Sequence, residues 1–179
     1  MASGLLLIVG WTLDIHRDSL SGAVLVLIGY VLAVFAFTGL YAVQRSRVGV
    51  LGLFGFVATV MASVLFVSFL FMDIARLSGA APQVDWTVVE STGPTYVIGV
   101  IGGLGFVLGF VTFGVATFRA ALLSRWPAVL LVVAGLIALI PSELLVGKLL
   151  PRVGGLALIG LGWSLWSVAA DPSSPQGRE

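Results

Sequence analysis

The chain has 179 residues, of which 59% are hydrophobic and only 9% charged, and its formal net charge is +1. Its mean hydropathy is +1.16, whereas a soluble domain carries roughly 25% charged residues, so lipid rather than water is the expected surrounding. Nucleic acid is excluded as a partner by the lack of clustered Lys and Arg. The absence of cysteine removes disulfides, thiolate metal sites and cysteine nucleophiles.

The opening stretch "MASGLLLIVGW" has no basic region before its apolar run, so no cleaved signal is expected. From Gly4 to Leu13 it is about half as long as a span, which suits an interfacial or re-entrant piece or, in a thinned bilayer, a sixth crossing. Five further segments, 21–43, 48–72, 95–118, 127–145 and 153–170, approach the roughly 20 apolar residues needed to cross a hydrocarbon core of about 30 Å. Strand-period alternation is absent, so no β-barrel is expected. The expected fold is all-α: a polytopic transmembrane bundle over residues 1–170, with five spans plus the short N-terminal segment. The tail 171–179, "PSSPQGRE" after Asp171, reads as disordered.

Short loops set the orientation. The turns at 44–47 and 119–126 carry Arg45, Arg47, Arg119 and Arg125 without an acid. The long connection 73–94 carries Asp73, Asp85 and Glu90 against Arg76 alone. Because basic loops remain cytoplasmic, the two arginine turns and the tail are expected inside and loop 73–94 outside; Lys148 and Arg152 then violate the rule mildly. Hairpins 21–72 and 95–145 share one sense and suggest a parallel pseudo-repeat. Glu143, in "LIALIPSELLVGKLLPRV", lies 17 residues beyond Trp126, or about 26 Å along a helix. It therefore reads as a boundary carboxylate rather than a costly buried one.

Helices in lipid associate where small residues let backbones approach. In "YVIGVIGGLGFVLGFVTFGVATF", Gly102, Gly105, Gly109, Thr112 and Ala116 follow alternating steps of three and four, one face of a helix. Gly99/Gly103 and Gly105/Gly109 are also G-x-x-x-G pairs. In "GVLGLFGFVATVMAS", Gly52, Gly55, Thr59 and Ala62 repeat the spacing. These two seams are expected in the bundle interior. Trp126, Trp163, Trp166 and Tyr41 suit an inner aromatic belt; Trp11, Trp86 and Tyr96 suit an outer one.

Chemistry is sparse. The polar inventory of the spans is Tyr30, Thr38, Thr59, Ser63, Ser68, Thr112, Thr117 and Ser164. No ionisable group sits near a span midpoint, so proton relays and voltage sensing lack parts. Asp14, His16 and Asp18 in "LDIHRDSL" alternate, and imidazole with carboxylates is a plausible set for a divalent ion. Asp73, Asp85, Glu90 and Glu143 fall on the same expected outer face and form a second candidate site there. The bland reading of the first trio is a solvated polar turn.

The segments "GLYAVQRSRVGVLGLFGF" (39–56), "ATFRAALLSRWPAVLLVVAGLIAL" (116–139) and "GGLALIGLGWSLWS" (154–167) resemble small polytopic integral membrane proteins of bacteria, actinobacterial ones especially. The resemblance implies five or six helices in the cell membrane; it implies no catalytic residue, since the group has no assigned activity. The expected function is non-enzymatic: binding an apolar small molecule or lipid, or acting as an accessory subunit, with membrane lipids, a second copy or a partner membrane subunit as neighbours and no cofactor. The alternatives are a carrier of a small uncharged solute and a metal-assisted enzyme at the outer face.

Overall fold

A computed structural model describes residues 1–13, 19–80, 91–140 and 149–169. Among these residues the chain is wholly helical. Its helices are α1 (Ala2–Leu13), α2 (Leu20–Leu77), α3 (Gly93–Ala120), α4 (Arg125–Ile137) and α5 (Leu150–Ala169).

Helix α2 has 58 residues and, if straight, would run to about 87 Å at 1.5 Å per residue. Instead it breaks at Gly49, whose φ of 57° and ψ of −158° lie outside the helical region. That backbone conformation is open almost only to glycine. The arms 20–48 and 50–77 fold back on each other. Tyr41 stacks on Phe56 with centroids 4.7 Å apart, and Tyr30 meets Phe66 at 4.9 Å. Residues 44–47, expected as a loop, are helical, and the reversal comes two residues later. The arginines do not end the helix because long exposed side chains reach out from its surface; the chain turns where a residue without a Cβ permits it.

The remaining contacts give a bundle of six rods, each antiparallel to the next. Gly10 of α1 lies against Val26, and Leu7 against Gly29. The distal arm 50–77 descends along α3 through Phe66–Phe106, Ala62–Gly105 and Thr59–Gly109. Helix α3 returns against α4 at Gly114–Ala128 and Val111–Gly135, and α4 meets α5 at Trp126–Gly160. Helix α5 then closes on α1, with Gly155 beside Ile8 and Gly4 beside Ile159. Phe37, Phe113, Leu131, Leu161 and Val26 are fully buried between the rods. The short α1, about 18 Å long for its 12 residues, thus packs between arm 20–48 and α5 as a member of the bundle, with Leu5 and Val9 exposed on its outer side.

Two helices, Leu20–Leu77 and Gly93–Ala120, are long and apolar enough to cross a membrane. The described helices do not support five secure spans. Helix α4 extends over 13 residues, about 20 Å; residues 138–140 form a turn at its end, and 141–145 lie outside the described residues. Helix α5 has 20 residues, but Arg152, its glycines and Trp163 and Trp166 dilute its apolar character. Large apolar side chains cover the outside of the bundle: Phe35 is 67% and Phe71 66% exposed. Apolar residues exposed along every face are rare on a water-soluble monomer.

Candidate functional site

The turn at Gly49 and the turn 121–124 lie at one end of the bundle, because arm 20–48 and α3 run parallel. The pairs Tyr30–Phe106, Phe37–Phe110 and Phe37–Phe113 fix this alignment. Arg45, Arg47, Arg119 and Arg125 are exposed there, and the Arg125 guanidinium sits 5.5 Å over the Phe118 ring. The helix termini that flank 14–18, 81–90 and 141–148 lie at the opposite end. At that end Arg76 pairs with Asp73 at 3.6 Å in the last turn of α2, where a cation also complements the helix dipole.

The expected outer-face and metal sites fall mostly outside the described residues: Asp14, His16, Asp18, Asp85, Glu90 and Glu143 all do. Of the expected site residues only Asp73 is placed, largely buried and helical rather than in a loop. Among the described residues no three His, Asp or Glu side chains gather to hold a metal ion.

The glycine positions are placed fully. A Cβ on Gly109 would strike the Thr59 hydroxyl and come within 2.6 Å of the Thr59 amide nitrogen. One on Gly55 would strike the Phe113 nitrogen and come within 2.6 Å of Thr112 Oγ1. At Gly105 the obstacle is Ala62 Cβ at 3.0 Å, and at Gly102 it is Leu65 Cβ at 3.6 Å. Gly52 differs, since its Cβ would meet Val48 across the Gly49 turn rather than α3. Backbones along this line are close enough to exclude solvent, which makes it a packing surface and not a cleft.

Polar side chains inside the bundle fall into two groups. In the first the helix satisfies its own hydroxyls. Ser63 Oγ donates to the Thr59 carbonyl at 2.8 Å, Thr112 Oγ1 to the Leu108 carbonyl at 2.5 Å, and Ser164 Oγ to the Gly160 carbonyl at 2.9 Å. Bonds of this kind to the preceding turn are the ordinary refuge of Ser and Thr within a helix. Ser164 also hydrogen-bonds Ser124 across the α4–α5 interface.

The second group has no hydrogen-bond partner among the described residues. Ser3 lies in the first turn of α1, before any carbonyl four residues back exists. Thr59 presses its hydroxyl onto Gly109. Thr117 and Gln44 have neither explanation: Thr117 Oγ1, Gln44 Nε2 and Gln44 Oε1 are all unpartnered, at 1% and 0% exposure. They occupy one layer. Gln44 lies one turn from Leu40 and one from Val48 on arm 20–48, while Thr117 follows Ala116 on α3; Val48, Ala116 and Ala120 cluster together, with Tyr41 packed against them. Leaving such a group unsatisfied costs about 1–3 kcal/mol. Thr117 was in the sequence inventory, but Gln44 was not, because 44–47 read as a loop. The signal available was its spacing: Phe37, Leu40, Gln44 and Val48 form one helical face, which is buried throughout.

No family model, curated protein or solved structure matches this chain.

Proposed function

We propose that the protein is a multi-pass membrane protein without enzymatic activity, which binds an apolar small molecule or lipid or serves as an accessory subunit of a membrane assembly. One observation carries this reading: the six rods enclose an aromatic and aliphatic interior, with Phe37, Phe106, Phe110, Phe113, Leu131 and Leu161 buried. Apolar side chains also cover the outside. An apolar interior with a few neutral polar groups is the chemistry of a site for a hydrophobic guest. In this reading the arms of α2, with α3, α4 and α5, all cross the bilayer, and the arginine turns at Gly49 and 121–124 face the cytoplasm. The affinity with small actinobacterial-type membrane proteins belongs to the same proposal.

Native mass spectrometry of the chain extracted in mild detergent tests it. Retained lipid or a co-purifying membrane subunit is the expected result. A monomer that stays dispersed without detergent overturns it. A second reading, a carrier of a small uncharged solute, draws on Gln44 and Thr117, whose neutral hydrogen-bonding groups would suit such a cargo.

A further inference from the structure

The Gln44 carboxamide can donate twice and accept twice, and the Thr117 hydroxyl can donate once and accept twice. None of this capacity is used among the described residues. Both groups are fully buried, on parallel neighbouring helices, each seven residues beyond the stacked Phe37–Phe110 pair and so at about the same height. In the same bundle Ser63, Thr112 and Ser164 all bond back to their own helix. The abstention of Thr117 is therefore not a general property of hydroxyls in this fold. An apolar pair in this layer would have avoided the cost. We propose that Gln44 and Thr117 form a binding site for one small neutral molecule carrying both a hydrogen-bond donor and an acceptor, either water or a solute of a few heavy atoms such as a polyol.

Electroneutrality follows from the residues: both side chains are uncharged, and the nearest charges in sequence, Arg45 and Arg119, are exposed. Small size follows from the enclosure. The pair lies near one end of the bundle, since Gln44 is five residues before Gly49 and Thr117 three before the end of α3. Both are thus within about two turns of the arginine end, behind the apolar Val48–Ala116–Ala120 cluster. This inference rests on the membrane-embedded reading for its surroundings, but its test does not.

Melting of the purified chain is compared for Gln44→Met, Thr117→Val, Thr117→Ser and the Gln44→Met/Thr117→Val double variant, alongside an experimental density map that resolves ordered solvent. If a guest is held, Gln44→Met and Thr117→Val each melt several degrees lower, Thr117→Ser stays near wild type, and the double variant falls no further than the worse single one. Density then lies between the amide and the hydroxyl. If Gln44→Met melts unchanged or higher, the amide was an uncompensated burden and the proposal is wrong. A map with Gln44 bonded directly to Thr117 and nothing between them overturns it equally. Should Gln44→Met fail to fold, the Thr117→Val and Thr117→Ser contrast and the map decide. Glycerol influx into phosphatidylcholine–phosphatidylglycerol vesicles carrying the protein separates the sources. Influx above that of empty vesicles, lost in Thr117→Val, identifies a solute; influx equal to empty vesicles, with the melting pattern intact, identifies resident water. Failure of the chain to require detergent would instead sink the membrane reading and leave the melting comparison standing.

Discussion

Helix α3 meets the two arms of α2 in opposite ways. Toward arm 50–77 it presents Gly105 and Gly109, and the two backbones come close enough that a single methyl group would collide. Toward arm 20–48 it presents Phe106, Phe110, Phe113 and then Thr117; rings fill the gap, with Phe37 5.9 Å from Phe110 and 5.7 Å from Phe113. At Gly55 and Gly109 the first interface brings backbone against backbone, and toward its other end the Phe66 and Phe106 rings meet. The second holds its helices apart with side chains, and the unpartnered Gln44 and Thr117 each lie seven residues beyond the Phe37–Phe110 pair, at about the same height on its two helices. Helices in lipid gain little from hiding apolar surface from one another, so the division is instructive: close backbone contact fixes the frame, and ring packing sets the spacing of the wider interface.

The sharpest way to break this comparison is Gly109→Leu. Its side chain would meet the Thr59 backbone, with atoms at 2.6 and 2.9 Å from the first added carbon, and no rotamer change moves backbone. The expected outcome is loss of a monodisperse folded species in detergent. A variant that melts like wild type would mean that the two helices can separate freely. On the wider side, Phe113→Ala removes a fully buried ring, and about 3–5 kcal/mol is the usual cost of such a truncation. Chemical denaturation of the detergent-solubilised protein measures it. The variant should remain folded, since the neighbouring rings can partly close the void.

Gly49→Ala probes the turn on which both interfaces depend. Its positive φ, with ψ near the extended range, makes any side chain strained, at about 1–3 kcal/mol. No atom lies within 4 Å of the position where a Cβ would be, so the cost comes from backbone conformation alone. Gly49→Val should therefore cost more than Gly49→Ala, as β-branched residues tolerate positive φ least. Equal losses would point to packing instead. A smaller effect is expected from Ser164→Ala, which removes the hydrogen bond to Ser124. About 0.5–1.5 kcal/mol is typical of one such bond, read in the same denaturation experiment.

Much of this frame was legible in the residues, because a seam at steps of three and four is a property of one helix and needs no knowledge of its neighbour. Gly55, Thr59, Gly105 and Gly109 could be named from spacing alone. The exact partnering could not be, since it depends on register between distant segments, and Gly52 turned out to face its own turn. Gln44 was hidden for a different reason. Arginines at 45 and 47 look like a loop because charge leaves the membrane, yet the helix runs on through them and carries Gln44 into the interior. Composition marks where a membrane ends, whereas backbone geometry marks where a helix ends, and the two differ here by about one turn.

The weakest expected effect is the most discriminating within one helix. Gly99 and Gly103 form the same G-x-x-x-G pattern as Gly105 and Gly109, on the same rod, a few residues away. Yet a Cβ on Gly103 meets nothing within 4 Å, and one on Gly99 meets only the tip of the Phe69 ring at 3.6 Å. The motif alone thus predicts two seams where the fold uses one. Gly103→Leu should change the stability of the isolated chain by no more than about 0.5 kcal/mol, as for other outward positions. Measured beside Gly109→Leu, it separates the effect of losing a glycine from the effect of filling an occupied space. If Gly103→Leu instead lowers stability strongly, the outward face of α3 is packed against a second chain, and the contrast between the two sides of this helix has a third term.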